Sequence, residues 1–321
     1  MSSVNGSAAV CALVAVFVLA DPLRAWSQAS VSVGPPETLL TNQQMVELNL
    51  WAWPDGIVGV LASGDTYTFV GAQGGGTTCA NPDGQPTRLV GSLQNPLRDG
   101  VTRCMAVGGM QRSHDYTGGG PIYTDPDTGN LLMFYHAENK TDAGFWTTLG
   151  MARSTDRGDS WTDLGRIVTA NLPFARDAAT DLGGGAYAIV NGYFYVYFRD
   201  FFPDGTQSFV SVARATYANV LEAASMGEVV PWTKYYQGTW SEPGLGGRST
   251  NMEESQQHVS WRSVAWNTFL NEWIMVAMAV PIGHPGSTKL HLFESTDGLH
   301  WTKRQQLESD AGNSVYPTIV G

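Results

Sequence analysis

The chain has 321 residues, a formal net charge of -11 and an isoelectric point near 4.9. Nucleic acids and anionic membrane surfaces reward clustered Lys and Arg, so this charge argues against both as partners and favours neutral or weakly charged ligands. The chain is rich in aromatic residues (Trp 11, Tyr 12, Phe 12) and in glycine (37), with charged residues at 15%. Such a composition indicates Gly-rich turns between short aromatic strands, which is typical of all-β proteins.

The first residues resemble a secretory leader. An apolar run over residues 8–20 is followed by Ser27-Gln28-Ala29, a small-x-small cleavage pattern. The run is shorter than the roughly 20 residues that a membrane-spanning helix requires, so a cleaved signal peptide over residues 1–29 is favoured over an anchor. We therefore expect a secreted protein, extracellular or periplasmic, without membrane contact after cleavage and with a single domain over residues 30–321.

Cysteine usage agrees with an oxidising compartment. Cys11 belongs to the leader, which leaves Cys79 and Cys104 as a pair, and we expect one disulfide between them. A metal site built on these cysteines would require further Cys or His ligands at close spacing, and the sequence has none near them.

Strand patterns dominate the mature chain. Four runs rich in aromatic and β-branched residues each follow turn residues, namely Asp65–Val70, Asn130–Tyr135, Tyr193–Phe198 and Glu272–Ala277. The best helical pattern is the short stretch Tyr217–Met226, which we interpret as a loop decoration. A plan of first strand, Gly/Asn/Asp turn and aromatic strand recurs about every 55 to 75 residues, and this repeat predicts a β-propeller with long loops.

The number of first-strand patterns predicts five blades of four antiparallel strands each. These patterns lie near Ile57, Ile122, Ala188 and Val264, with a fifth at Tyr316–Val320. Two interpretations of the fifth blade stay open. Either N-terminal residues such as Val46–Trp53 complete it, or the sequence stops before it is complete.

One motif occurs twice. Ser154–Trp161 matches S-x-D-x-G-x-x-W, and Ser295–Trp301 is a shortened copy. Each follows a strand pattern, and each ends in a Trp that opens the next strand. The motif resembles the Asp-box hairpin of sialidase-like propellers, in which Asp and Ser bond to the turn while Trp packs between strands. The resemblance implies structural roles for Asp156 and Asp297.

Polar residues just ahead of the predicted first strands are the candidates for chemistry, because the ligand site of a propeller lies at one end of its central channel. These residues are Asp55, His114, Asp115, Asp181, Glu253, Glu254 and His258. Four successive blades each offer a carboxylate.

The placing of these acids resembles that in the five-bladed glycoside hydrolases of the arabinanase, xylosidase and invertase group. The resemblance implies that Asp55 is the base, that Asp181 is the orienting and pKa-raising acid, and that Glu254 or its neighbour Glu253 is the proton donor. Glycoside hydrolysis requires one protonated and one ionised carboxyl group, and burial with like-charge repulsion supplies that difference. We expect no required cofactor, although the acids leave room for a structural calcium ion.

The segment before the second predicted blade combines a cation, an imidazole, a carboxylate and a phenol ahead of Gly118-Gly119-Gly120, a flexible run that lets backbone approach a ligand. We predict a substrate-binding set formed by Arg112, His114, Asp115, Tyr116, Glu253, His258 and Arg262. The alternative is a tight inner loop in which His114 caps a turn.

The sequence therefore predicts a monomeric, secreted glycoside hydrolase that acts on a polysaccharide or oligosaccharide. Two alternatives stay open. One is a propeller that binds glycan without cleaving it. The other is a polysaccharide lyase, in which His114 or Tyr116 would be the base and Arg112 would neutralise a uronate.

Overall fold

The computed structural model describes residues 12–13, 16–17, 31–50, 53–74, 86–105, 107–109, 114–254, 258–279, 288–307 and 314–320. The predicted signal peptide lies almost wholly outside these residues, and so do Arg112 and Cys79. The disulfide between Cys79 and Cys104 therefore stays a prediction. Within the described part of the chain, no helix is both long and apolar enough to cross a membrane.

Short elements precede the main sheets. They are β1 (Ala12–Leu13), β2 (Val16–Phe17), β3 (Ser32–Val33), β4 (Glu37–Thr38) and α1 (Asn42–Glu47). β1 pairs with β4 and β2 with β3, both antiparallel. Helix α1 begins in a capping box, because the Thr41 side chain accepts the Gln44 N–H while the Gln44 side chain accepts the Thr41 N–H.

Four larger sheets follow, and each is a blade. Blade 1 consists of β5 (Gly59–Ser63), β6 (Thr66–Ala72), β7 (Pro86–Gly91) and β8 (Gly100–Thr102). Blade 2 consists of β9 (Val107–Gly108), β10 (Tyr116–Thr117), β11 (Ile122–Thr124), β12 (Leu131–Thr141), β13 (Gly144–Ser154) and β14 (Trp161–Thr169).

Blade 3 consists of β15 (Ala186–Val190), β16 (Tyr193–Phe201), β17 (Gln207–Thr216), β18 (Thr233–Tyr236) and β19 (Thr239–Pro243), with α2 (Tyr217–Met226) between β17 and β18. Blade 4 consists of β20 (Val259–Asn267), β21 (Glu272–Ala279), β22 (Lys289–Ser295) and β23 (Thr302–Leu307). Strands within each blade are antiparallel, except that β9 runs parallel to β14.

The second strand of a blade lies between two other strands of its sheet. In blades 2 and 3 this position is visible as a continuous run of buried residues. Residues 131–137 of β12 are all buried, and so are residues 194–198 of β16. A strand covered on both faces reads as a nearly continuous apolar run rather than an alternating one. The turn before β16 has the residues that a two-residue hairpin turn of type I′ requires. Such a turn needs positive φ at both positions, and Asn191 and Gly192 have φ values of 48° and 79°.

Aromatic side chains fill the space between neighbouring blades. The rings of Phe134 in blade 2 and Tyr187 in blade 3 lie 4.9 Å apart between centroids. Tyr197 in blade 3 meets Trp301, next to β23 of blade 4, edge to face at 5.5 Å. Burying one such side chain contributes about 1.5–3 kcal/mol, so these contacts between blades are a major source of stability.

The predicted propeller is confirmed, and the four predicted aromatic runs fall in β6, β12, β16 and β21. The predicted helix over Tyr217–Met226 is α2. It lies in a connection outside the sheets and packs on blade 3 through Val220, Ala223 and Ala224.

The prediction of five blades is wrong, since the described residues form four. The segment Tyr316–Val320, predicted as a fifth first strand, contacts Val58 on one side and Ser263 on the other, and so lies between the inner strands of blades 1 and 4. Among the described residues it pairs with no strand. Tyr316 has a φ of 53° and Pro317 has no N–H, and both features interrupt a strand ladder.

The N-terminal residues predicted to complete a fifth blade pack against blade 1 instead. Leu48, Leu50 and Trp53 pack with Phe69 and Leu89 in the core of blade 1. Because they cover blade 1, they add no strand to a further sheet within the described residues.

A fully buried ion pair joins β16 and β18 of blade 3. Lys234 Nζ donates to Asp200 Oδ2 at 2.8 Å, and both side chains are 0% exposed. The ammonium group also donates to the carbonyl oxygens of Thr169 (2.8 Å) and Gly247 (2.7 Å), while Ser249 Oγ donates to Asp200 Oδ2. The charges are therefore compensated as long as both partners are present.

Removing one partner would leave an uncompensated charge. We expect Lys234→Met to lower the free energy of unfolding by about 3–5 kcal/mol, because the Asp200 carboxylate would stay buried without a cation. Urea denaturation measures this change. The control is Arg176→Met at the exposed pair with Asp142, where a change within about 1 kcal/mol is expected. Equal losses in the two variants would contradict the role of burial.

Candidate functional site

The connectivity of the blades brings several polar residues to one end of the channel. Asp55 precedes the first strand of blade 1, and Asp181 precedes the first strand of blade 3. Glu138 lies near the end of β12, the second strand of blade 2. Because consecutive strands are antiparallel, the start of a first strand and the end of a second strand lie at the same end of a blade. Three carboxyl groups from three blades therefore meet there.

A cavity of about 420 Å³ opens at this end. It is lined by Glu138, Phe145, Thr147, Ala179, Thr180, Asp181, Arg199, Phe201, Trp261 and Tyr316. A second cavity, of about 320 Å³, is lined by inner strands of all four blades and contains no carboxyl group among its lining residues. The polar groups suited to acid–base chemistry are therefore concentrated in the first cavity, which we call the acid cavity.

Asp55 is held beside the acid cavity by two tyrosines. Tyr316 donates its hydroxyl hydrogen to Asp55 Oδ1 (3.1 Å), and Tyr116 donates to Oδ2 (3.2 Å). Burial raises the pKa of the Asp55 carboxyl above its ordinary value, and the charge of Glu138 adds to this effect. The two tyrosine hydrogen bonds oppose the shift without cancelling it.

Glu138 is paired with a buried histidine. His136 and Glu138 stand two residues apart in β12, on the same face, and His136 Nε2 lies 3.2 Å from Glu138 Oε1. The other ring nitrogen, Nδ1, lies 3.2 Å from the carbonyl oxygen of Gly183. Burial by itself would lower the pKa of His136, but the hydrogen bond and the charge of Glu138 outweigh it and raise this pKa. His136 therefore supports Glu138 as a cationic partner.

Asp181 forms the third polar group of the acid cavity. Its Oδ2 accepts from Arg199 Nη1 (3.2 Å) and from Ser260 Oγ (3.1 Å), and its Oδ1 accepts the Gly183 N–H (3.0 Å). The side chain is 41% exposed, so it faces the cavity while held in an ion pair. Arg199 also donates to Gln207 (2.8 Å), which fixes the guanidinium.

Tyr316 connects Asp55 with the two acids that line the cavity, because it donates to Asp55 and lines the cavity together with Glu138 and Asp181. Burial raises the pKa of its hydroxyl, and the negative charges of Asp55, Asp181 and Glu138 raise it further. Its ring also packs edge to face on Trp261, with centroids 4.9 Å apart. Tyr316 therefore stays a neutral hydrogen-bond donor to Asp55 at ordinary pH.

The loop before blade 2 contributes less to the acid cavity than its composition suggests. Tyr116 contacts Asp55, as described, but neither Tyr116 nor His114 lines the cavity. The His114 ring is buried, with Nδ1 3.4 Å from Asn139 Oδ1, and burial lowers its pKa. Asp115 accepts the Lys140 N–H at 2.6 Å and caps the end of β12. Arg112 is outside the described residues.

Glu253 and Glu254 lie away from the acid cavity. The Glu254 N–H donates to the carbonyl oxygen of Trp301 (3.2 Å), and Thr302 Oγ1 donates to Glu254 Oε2 (3.3 Å). Glu253 is buried and forms a β-bridge with Trp301. The start of the fourth strand of a blade lies at the end opposite to the start of its first strand. This placement is incompatible with the predicted role of Glu254 or Glu253 as proton donor in the cavity.

The remaining two predicted substrate-binding residues do not line the acid cavity either. His258 is exposed, and its ring stacks on Phe209 at 4.3 Å. Arg262 is fully buried and donates to the carbonyl oxygens of Ser260 (3.2 Å) and Phe198 (3.0 Å). Burial, with the charge of Arg199, lowers the pKa of Arg262 to about 9. Arg262 therefore links blades 3 and 4.

Both turns with the repeated motif lie between a third and a fourth strand. Asp156 Oδ1 accepts from Ser154 Oγ (2.7 Å) and from the Ser160 N–H (2.9 Å). Asp297 Oδ1 accepts the Leu299 and His300 N–H groups (2.8 and 2.9 Å). Both carboxylates thus hold their own turns at the end opposite to the acid cavity. The likeness to the Asp-box hairpin stays a prediction.

The described residues contain no group of three or more His, Cys, Asp or Glu side chains placed to hold a metal ion. The structural calcium ion that the sequence leaves room for stays a prediction. No step of the chemistry considered below depends on a metal.

Glu138 and His136 are the functional candidates that the sequence analysis missed. Both lie inside the aromatic strand β12 rather than in the loop before a first strand. The sequence does contain a pattern that points to them. His136 and Glu138 interrupt an apolar run and, two residues apart in a strand, lie on the same face. Without the topology, the end of a second strand could not be assigned to the same site as the start of a first one.

No protein-family model matches the chain, and no curated protein matches it. Solved structures do resemble it. A mutant of the α-L-arabinofuranosidase from Fusarium graminearum, in complex with an iminosugar inhibitor, aligns with a TM-score of 0.51 at 13% identity over 80% of this chain and 67% of that one. This likeness shows the propeller fold alone.

Two further structures align less closely. An N-acetylgalactosamine deacetylase from F. plautii, in complex with blood group B trisaccharide, has a TM-score of 0.44 at 13% identity and covers 77% of this chain and 67% of that one. A family 117 glycoside hydrolase from the marine bacterium Zobellia galactanivorans has a TM-score of 0.46 at 9% identity, over 79% and 71%.

The hydrogen bond from Tyr316 favours the ionised form of Asp55. We therefore expect Tyr316→Phe to raise the pKa of Asp55 further, because burial and the charge of Glu138 would then meet less opposition. The measurement is a pH titration of the Asp55 carboxyl carbon by NMR. Tyr236→Phe, in the outer part of blade 3, is the control and should leave this titration unchanged. An unchanged or lowered Asp55 pKa in Tyr316→Phe would contradict the assignment.

Proposed function

We propose that this protein is a glycoside hydrolase that cleaves a glycosidic bond in the acid cavity. The observation that supports this most directly is geometric: Tyr316 donates to Asp55 and lines the acid cavity with Glu138 and Asp181, so that carboxyl groups from three blades lie close together. Glycoside hydrolysis uses a pair of carboxyl groups in different protonation states. The arabinofuranosidase with the same fold is itself a glycosidase, which supports this choice of chemistry.

Asp55 is our choice for the proton donor. Its pKa is raised by burial, and a raised pKa keeps a carboxylic acid protonated closer to neutral pH. This reverses the role that the family resemblance implies, in which Asp55 is the base. Proton donation is thereby assigned to Asp55, which lies beside the acid cavity and is bonded to the lining residue Tyr316, instead of to Glu254 at the other end of blade 4.

Glu138 and Asp181 supply the negative charge. Glu138 is paired with His136, and Asp181 is paired with Arg199. In the reaction, Asp55 donates its proton to the glycosidic oxygen and the bond from that oxygen to the anomeric carbon breaks. The two carboxylates stabilise the positive charge that develops on the sugar ring. The oxygen of a water molecule then bonds to the anomeric carbon, and the proton that this water loses restores the carboxylic acid of Asp55.

The sequence supports a proposal about where the protein acts and on which class of glycan. The leader-like residues 1–29 support secretion, and the acidic net charge of the chain fits a neutral glycan better than a polyanion. We propose a secreted monomer that acts on a polysaccharide or oligosaccharide. A lyase receives less support, since Tyr116 directs its hydroxyl to Asp55 and the His114 ring is buried beside Asn139.

Substitution of the acids tests the proposal. Against a panel of polysaccharides and aryl glycosides, Asp55→Asn and Glu138→Gln should each lower kcat/KM by about 10²–10⁴-fold, because they remove a proton donor and a charge-stabilising carboxylate. Asp181→Asn should have a similar effect. Release of reducing ends measures the activity.

Glu254→Gln is the matched control, because its carboxylate is exposed and lies outside the acid cavity. Its activity should equal that of the wild type. If wild type and all variants bind a glycan but none hydrolyses it, the protein is a binding propeller and the hydrolase proposal fails. Products with an unsaturated uronate end would indicate a lyase instead.

The raised pKa of Asp55 also predicts a pH dependence of stability. The folded state binds this proton more tightly than the unfolded chain does, so the associated stability is complete below the ordinary carboxyl value of 3.8 and is lost as pH rises through the raised pKa. Asp55→Asn cannot ionise. We therefore expect the variant to gain stability relative to the wild type over that rise in pH.

Urea denaturation from acid to neutral pH measures this difference. Asp156→Asn gives the opposite control, since hydrogen bonds from Ser160 lower the pKa of Asp156 to about 2. Its wild-type contribution is present above the ordinary carboxyl pKa and is lost as pH falls through about 2. A relative stability of Asp55→Asn that does not change with pH would contradict the assignment.

A further inference from the structure

Two aromatic residues line the acid cavity but have no role in the proposed proton transfer. Phe145 from blade 2 and Phe201 from blade 3 both line it, together with Glu138 and Asp181. We call these two residues the aromatic rim. Trp261 also lines the cavity, but it is buried against His136 and Tyr316, with ring centroids 4.8 and 4.9 Å away. The rim and the acids are thus parts of one continuous cavity.

Phe145 is exposed although its backbone is fixed. It is the second residue of β13, and its carbonyl oxygen accepts the Thr180 N–H at 2.8 Å. Thr180 immediately precedes Asp181, so this hydrogen bond ties the position of Phe145 to that of an acid. The residue remains 46% exposed. A large apolar side chain held open to solvent in a cavity is typical of a ligand contact.

Phe201 is joined to the acids through a cation. The Arg199 guanidinium lies 5.1 Å from the Phe201 ring centroid, and the same guanidinium is paired with Asp181. One side of this ring therefore contacts Arg199. Both rim residues are thus positioned by the segment or side chain that also holds Asp181.

The charges of the lining residues select among ligands. The lining contains two acids, Glu138 and Asp181, and one cation, Arg199, which is already bonded to Asp181 and Gln207. His136 is likewise already paired with Glu138. A carboxylated or sulfated sugar would therefore find no unpaired cation among these groups to compensate its charge, whereas a neutral sugar needs none. The apolar C–H face of a sugar ring packs on aromatic rings, and its hydroxyl groups remain free for polar partners.

We propose that the aromatic rim binds an uncharged sugar unit adjacent to the unit whose bond is cleaved. This inference rests on the proposed function and narrows its substrate class to neutral glycans of at least two units. The acids act on the glycosidic bond, and the rim holds the neighbouring unit in the same cavity.

Two substrates, one without a neighbouring sugar unit and one with it, test the inference. The first is the glycosyl fluoride of the sugar that the substrate panel identifies, whose leaving group is too small to reach the rim. The second is a trisaccharide of the same sugar. Phe145→Ala should lower kcat/KM for the trisaccharide about tenfold, equivalent to about 1.4 kcal/mol, and leave the fluoride within about twofold.

Phe174→Ala is the matched control, because Phe174 is 56% exposed but does not line the acid cavity. It should leave both substrates unchanged. Equal effects of Phe145→Ala on the two substrates, or an equal loss in Phe174→Ala, would overturn the inference while leaving the hydrolase intact.

A binding measurement tests the inference even if the protein has no hydrolase activity. If wild type hydrolyses no member of the substrate panel, calorimetric titration with neutral trisaccharides of arabinose, xylose and galactose decides the inference separately. Binding of any of them that weakens about tenfold in Phe145→Ala, and not in Phe174→Ala, supports a neutral-sugar site on the rim. No binding, or equal binding by wild type and Phe145→Ala, overturns it.

Discussion

The burial of β12 and β16, the second strands of blades 2 and 3, on both faces is the constraint on which the architecture depends. β12 and β16 are covered by neighbouring blades, and their aromatic residues fill the space between sheets. Because a second strand must lie inside its blade, the first strand is placed at the channel and the third and fourth strands lie outside. The loops before the first strands and the ends of the second strands are thereby directed to one end of the channel.

The chemistry proposed for the acid cavity follows from this arrangement. Asp55 and Asp181 come from loops before first strands, whereas Glu138 comes from the end of a second strand. Their environments differ, since tyrosine hydroxyl groups hold Asp55 in a partly buried position while a histidine and an arginine accompany the other two. Unequal surroundings around neighbouring carboxyl groups create the difference in protonation that acid catalysis requires.

Not every buried charge in this protein serves chemistry. Lys234 and Asp200 form a closed network with backbone carbonyl oxygens and a serine hydroxyl, and both side chains are inaccessible. Asp181 and Arg199 also form an ion pair, but Asp181 is partly exposed in a cavity. Access to a ligand, rather than pairing itself, therefore distinguishes a candidate functional pair from a structural one.

The sequence by itself determined the all-β class, the propeller and the position of its aromatic strands, because burial on two faces leaves a local pattern in each strand. It also singled out Asp55 and Asp181, since both stand directly before a first strand. It could not count the blades, because a strand pattern such as Tyr316–Val320 says nothing about whether partners pair with it.

Tertiary structure decided which acids share a site. Glu254 and Glu138 are both acids beside strands, but antiparallel connectivity directs Glu254 to one end of blade 4 and Glu138 to the other end of the channel. It also decided the surroundings of Asp55, because Tyr116 and Tyr316 are distant from it in the chain and reach it only in the closed ring. Proximity between residues far apart in sequence depends on packing, and packing leaves no local pattern to read.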